Sequence, residues 1–183
     1  MARTHIRFVT VVVVVVALLA IAVPAFAGRA VERTIREDSY GYGTGMVFAP
    51  EFPAGDTFEG RCSVPSQWVS SSSGTGIMSH LGRVTWTTEH CFQVSGGKYG
   101  TFGDAVLVIT AANGDQLFGT YDGVMTSDTT FTETMVITGG TGRFAGATGT
   151  IDETGWFDPV TLYMEIKGIG SIVYDASMRS SMK

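Results

Sequence analysis

Short stretches of alternating apolar and polar residues recur along this chain, and no long segment repeats its apolar positions every 3.6 residues. The clearest runs are Val84 to Thr88, Ala105 to Ala111, Gln116 to Tyr121, Phe131 to Thr138, Thr148 to Phe157 and Thr161 to Tyr174, the last broken by Gly168 and Gly170. Each is rich in Val, Ile, Thr, Phe or Tyr and bounded by Gly, Asn, Asp or Ser, which is strand material between turns. Earlier strands are expected near Gly43 to Phe48, Thr57 to Val64 and Gly76 to Leu81. Eight or nine strands suffice to close a barrel. Ser70 to Ser73 with Gly74, and the segment holding Pro50 and Pro53, read as loops. Asn113-Gly114 is the strongest hairpin signal; a type I′ turn there, with both central residues at positive φ, would make the flanking strands antiparallel.

Parity within the runs says what they enclose. Phe131, Met135 and Ile137 share a face with Glu133, and Thr132, Thr134 and Thr138 share the other with Val136. Val160, Leu162, Met164 and Ile166 point one way, and Thr161, Tyr163, Glu165 and Lys167 the other. One apolar face and one mixed face suit an antiparallel sheet, and closing it removes the edges that an open sheet must protect.

The N-terminal segment is a different kind of sequence. Arg3, His5 and Arg7 precede an apolar run from Phe8 to Val23, and Ala25-Phe26-Ala27 supplies small residues at a cleavage position. This pattern predicts a signal peptide helix over 1–27, cut after Ala27. A spanning anchor needs about 20 apolar residues, and Pro24 ends this run early. Residues 28–40 are dense in charge and lack alternation, so they read as a flexible leader; the barrel domain is expected over 41–176, with a short tail over 177–183.

The 12 Lys and Arg against 17 Asp and Glu give a net charge of −5, and loss of Arg3 and Arg7 with the leader makes the remainder more acidic. Phosphate backbones demand a basic face, so nucleic acid is excluded, and no basic amphipathic helix offers a membrane-binding surface after cleavage. The two cysteines, Cys62 and Cys91, both follow the leader and are expected to form a disulfide. Neither sits in a CxxC pattern that would favour a reactive thiol.

The most distinctive stretch runs Thr138-Gly139-Gly140-Thr141-Gly142-Arg143-Phe144-Ala145-Gly146-Ala147-Thr148-Gly149. It follows a strand and satisfies a loosened dinucleotide fingerprint, but that fingerprint must open a helix, and the residues after Gly146 are poor helix formers. The physical reading is a tight turn with several residues at positive φ and Phe144 plugging one end of the core. This stretch strongly resembles the TGGTG-x-F-x-G-A-x-G signature of allene oxide cyclase and dirigent-like proteins. Ser79-His80-Leu81-Gly82-Arg83-Val84-Thr85 and Gly114-Asp115-Gln116-Leu117-Phe118-Gly119-Thr120-Tyr121 resemble bacterial exported members of that group. The resemblance covers most of 43–174 and implies an all-β, eight-stranded antiparallel closed barrel with an apolar lumen. It also implies a family whose plant enzymes cyclise an unstable fatty-acid epoxide or steer radical coupling, and several of which form homo-oligomers. The signature residues make turns; they do not specify a reaction.

Candidate chemistry therefore comes from single residues. If the face it shares with Phe131 is the lumen, Glu133 is desolvated and suited to acid or base work; the competing reading puts it at a solvent-facing rim. His80 shares parity with Val84 and Trp86 if the strand runs unbroken through Gly82, and could then meet a ligand; otherwise it is a structural residue by a turn. Trp86, Tyr121, Phe131 and Met135 are candidates for the lumen wall or rim, while Tyr163 and Trp156 fit packing roles. Arg143, beside glycine amides, either binds an anion or clamps the turn to a carbonyl or carboxylate. His80, His90 and Glu89 lack the convergence a metal site needs, no cofactor is expected, and no Gly-x-Ser-x-Gly elbow supports a hydrolase. Two functions remain open: a lumen that binds an apolar small molecule, with cyclase or steering activity, and a noncatalytic exported barrel serving a structural or partner-binding role.

Overall fold

A computed structural model describes residues 30–48, 62, 66, 68–93 and 98–176. Eight strands form one closed barrel in sequence order: β1 (Ala30–Phe48), β2 (Trp68–Met78), β3 (Gly82–Gln93), β4 (Thr101–Ala111), β5 (Gln116–Met125), β6 (Thr130–Gly140), β7 (Thr148–Phe157) and β8 (Tyr163–Asp175). Every neighbouring pair is antiparallel, and β1 closes the ring against β8. The segment expected to carry the signal peptide and the tail over 177–183 lie outside the described residues. So does most of the strand expected over 57–64, within which only Cys62 is described, outside any strand.

Three segments depart from the sequence expectation: the strand expected near Gly76 to Leu81 is the end of β2 up to Met78, followed by a turn over Ser79 to Leu81, and the other two lie earlier in the chain. Ala30 to Tyr40, expected to be a flexible leader, is the first half of β1. Glu32, Arg36 and Asp38 point outward while Ile35, Glu37 and Ser39 are buried inward, so the inward set is too polar to show as an apolar stripe. Ser70 to Gly74, expected to be a loop, lies inside β2, paired through Ser72 with Thr88 and through Gly74 with Trp86. The Asn113-Gly114 hairpin joins β4 to β5 as expected, but not through a type I′ turn. Gly114 alone takes positive φ, at 87°, and Ala111 accepts from the Gly114 amide (2.9 Å) while donating to Asp115 (2.8 Å). This is a three-residue loop with its glycine in the left-handed region.

The barrel is packed solid at one end. Ile35, Ile151, Ile172 and Phe144 have no exposed surface there, with Met78, Val84 and Leu117 at 1%. Phe144 sits on a 3-10 turn, Gly142–Phe144, that folds across the opening. Arg143 next to it ties three turns together: its Nη2 donates to the His80 carbonyl (2.8 Å), its backbone amide donates to Asp115 Oδ2 (3.3 Å), and its guanidinium covers the Phe144 ring at 4.6 Å. Gly142, at φ 54°, abuts the Asp115 carboxylate, so a side chain there would be strained and would collide as well.

Cys62 and Cys91 are bonded and, with Val69, form a small apolar cluster separate from the barrel core. The bridge fastens the segment after β1 to the end of β3.

Candidate functional site

The half of the barrel away from Phe144 is hollow. A cavity of about 370 Å³ opens where Gly45 and Met46 of β1, Trp68 of β2, Tyr99, Asp128 and Leu162 form its rim. Trp86, Phe102, Leu107, Ile109, Tyr121, Phe131 and Met135 line its wall.

Large rings leave space in a narrow barrel because glycines stand opposite them. Gly74 pairs with Trp86, Gly123 with Phe102 and Gly155 with Phe131. In each case an added Cβ would run into the facing ring, so the ring lies flat over its glycine and does not project across the bore. Gly41, paired with Gly74, extends the clearance under the same Trp86 ring by one strand, since a Cβ there would stand 2.6 Å from Trp86 Cζ2.

The cavity's polar feature is a row of three glutamates on its floor. Strand pairing sets them side by side: Glu133 of β6 opposite Glu153 of β7, Glu153 opposite Gly168 of β8, and Gly168 opposite Glu37 of β1. Gly168 has no side chain to separate its neighbours; a Cβ there would stand 2.9 Å from Glu153 Cγ and 3.4 Å from Glu37 Cβ. Ile35, Ile151 and Met135 lie one step deeper on the same strands, so the carboxyls rest directly on the packed end. Glu37 and Glu153 are only 8% and 4% exposed, and Glu133 is half-buried with its open side toward the cavity.

Burial governs their chemistry. Desolvation raises Glu133 to about 7, with the charge of Glu37 adding to it and a hydrogen bond with Glu153 opposing. Glu153 is pushed well above the ordinary carboxylate range, first by burial and then by Glu37 and Glu133. Ser39 Oγ donates to Glu37 Oε1 (2.6 Å), but Glu37 Oε2 and Glu153 Oε1 have no donor in reach. Crowding Glu133 and Glu153 together in an apolar bore disfavours their ionisation, and the two unpartnered oxygens remain acceptors open to a donor that enters the lumen.

Across the lumen, Tyr121 Oη lies 2.6 Å from Thr88 Oγ1 and 2.7 Å from His90 Nδ1, and the His90 ring packs 5.0 Å from Phe102. Tyr121, Trp86, Phe131 and Met135 are thus gathered around one space with Glu133. His80 is not. It sits in the β2–β3 turn at φ 69°, exposed at the packed end, with its Nε2 3.1 Å from the Thr34 carbonyl. The strand does not run unbroken through Gly82, which is itself at φ 77°, so His80 loses the parity with Trp86 that would have aimed it inward. Arg143 takes its clamping role, and Gly139, Gly140, Gly142 and Gly146 belong to the turn that it holds. Val160 and Leu162 precede β8 in its connection from β7; Val160 is exposed, whereas Leu162 reaches the cavity rim above Met164 and Ile166. Tyr163 faces outward and contacts Tyr40, Tyr42 and Trp156. Sequence reasoning missed Glu37 and Glu153. Glu153 shares parity with Ile151 and Phe157, the same signal that singled out Glu133. Among the described residues no group of His, Cys, Asp and Glu is placed to hold a metal ion.

No protein-family model matches the chain, and no curated protein matches it. Among solved structures, the pterocarpan synthase dirigent protein superposes with a TM-score of 0.52 at 18% identity, covering 80% of this chain and 93% of that one. The eight-stranded closed barrel of this chain therefore shares the fold of that dirigent protein.

Proposed function

We propose that this is an exported dirigent-like barrel that binds an apolar small molecule in its lumen and steers its cyclisation or coupling. The observation that carries this reading is the cavity: about 370 Å³, walled by aromatic and aliphatic side chains, with its few polar groups gathered on one floor. Ligand sites are of this size and character. A shaped apolar bore lowers a barrier mainly by holding one conformer of a flexible or reactive ligand. Glu133, raised to about 7, adds an acid that is half protonated at neutral pH and can deliver a proton to a ligand oxygen. The neighbouring fold is named a synthase, which agrees with chemistry on this barrel type. Export fits the leader pattern and the Cys62–Cys91 bridge, since disulfides persist in oxidising compartments. The competing reading, a noncatalytic partner-binding barrel, draws support from Tyr40, Tyr42 and Trp156, which are half exposed on the outer wall.

Native mass spectrometry of residues 28–183, purified gently from the host's exported fraction, tests the choice. An adduct that denaturation releases supports the lumen and identifies the molecule to assay; Glu133→Gln should then slow its turnover without unfolding the protein. A bare protein mass favours the partner-binding reading.

A further inference from the structure

We propose that the lumen selects ligands bearing a protonated amine on an aromatic or alkyl body, with the ammonium group seated among Glu37, Glu133 and Glu153. The inference rests on the lumen-binding reading and names the class of molecule bound.

Two carboxylate oxygens, Glu37 Oε2 and Glu153 Oε1, are more than nine-tenths buried, line the cavity and have no donor. Burying an acceptor without a donor is costly, so the floor is built to receive hydrogens. No Lys or Arg lines the cavity among the described residues, and Asp128 adds a further negative charge at the rim. An anion entering this bore would meet repulsion at both ends. A hydroxyl offers one hydrogen, whereas an ammonium offers three and a positive charge to a row of three carboxyls. Above the floor, Trp86, Phe102 and Phe131 present the faces that suit a cation's apolar body and add cation–π attraction.

Glu133 and Glu153, held toward their protonated forms, must give up protons to an ammonium, so amine affinity depends on pH. The groups facing that floor are Glu37 and Ser39 from β1, Glu133 from β6 and Glu153 from β7; β8 offers Gly168 and β5 Gly123, and His90 and Tyr121 stand on the opposite wall. Raising the pH through about 7 ionises Glu133 and strengthens amine binding.

Displacement of the neutral dye phenylnaphthylamine from the disulfide-bonded chain by phenylbutylamine, phenylbutanol and phenylbutyrate tests this. At about pH 8 the amine is expected to bind at least tenfold tighter than the alcohol, with the acid weakest, and the ratio should shrink at about pH 5.5 as the carboxyls take up protons. Glu37→Gln combined with Glu153→Gln should cut the ratio several-fold, while retained phenylbutanol binding shows that the barrel is intact. An alcohol that matches the amine at pH 8, or a ratio untouched by the substitutions, overturns the amine inference and leaves the lumen reading standing. Failure of the dye and all three compounds to bind overturns both.

Discussion

At neutral pH Glu133 stands near its own half-titration point, because an apolar bore and the charge of Glu37 oppose ionisation that water would favour. Its folded pKa is raised, so the native state holds a proton that the unfolded chain releases, and the resulting stability is lost as pH rises from about 4.5 through about 7. Urea unfolding at pH 5 and pH 8 should therefore show greater stability at the lower pH, unlike a protein whose carboxylates are salt-bridged. Glu133→Gln should shrink that difference and raise stability at pH 8 by on the order of 1–3 kcal/mol, since it removes an unfavourably buried charge. An unchanged pH profile would mean that the row titrates as exposed carboxyls do. Parity with Phe131 and Met135 was enough to single out Glu133 from sequence. Parity could not say which face closes inward, and it could not reveal the row, because side-by-side placement comes from the pairing of β6, β7, β8 and β1.

Among the strands, legibility followed what each one faces. β4 and β6 pack Leu107, Ile109, Met135 and Ile137 inward and show as alternating runs. β1 turns glutamate, serine and glycine inward, and β2 turns serines and glycines, so only their ends, near Gly43 to Phe48 and Gly76 to Met78, read as strand from the sequence. The small residues that hide these strands also keep the cavity open. Gly155→Ala tests that directly: its Cβ would strike the Phe131 ring, and overpacking of this kind destabilises by about 1–3 kcal/mol. The displaced ring should enter the bore, so phenylnaphthylamine binding is expected to weaken more than unfolding stability alone explains. Binding equal to the parent protein's would show that the wall yields elsewhere.

For the whole molecule, ring closure gives each of the eight described strands a neighbour on both sides, and the Cys62–Cys91 bridge adds a restraint outside the ring across a separation of 29 residues. In the chain-entropy treatment a loop of that length is worth roughly 3–4 kcal/mol. Replacing both cysteines with serine should lower the urea midpoint accordingly, and a fall of less than about 1 kcal/mol would indicate a denatured state already compact around this segment. The sealed end has a kinetic consequence. Phe144, held by Arg143, closes the floor, so whatever enters past Met46 and Asp128 must leave by the same way. Exchange in such a blind bore would be sequential: under the proposed lumen reading, a departing molecule must clear the mouth before the next arrives, so ligand exchange would slow as residence time lengthens.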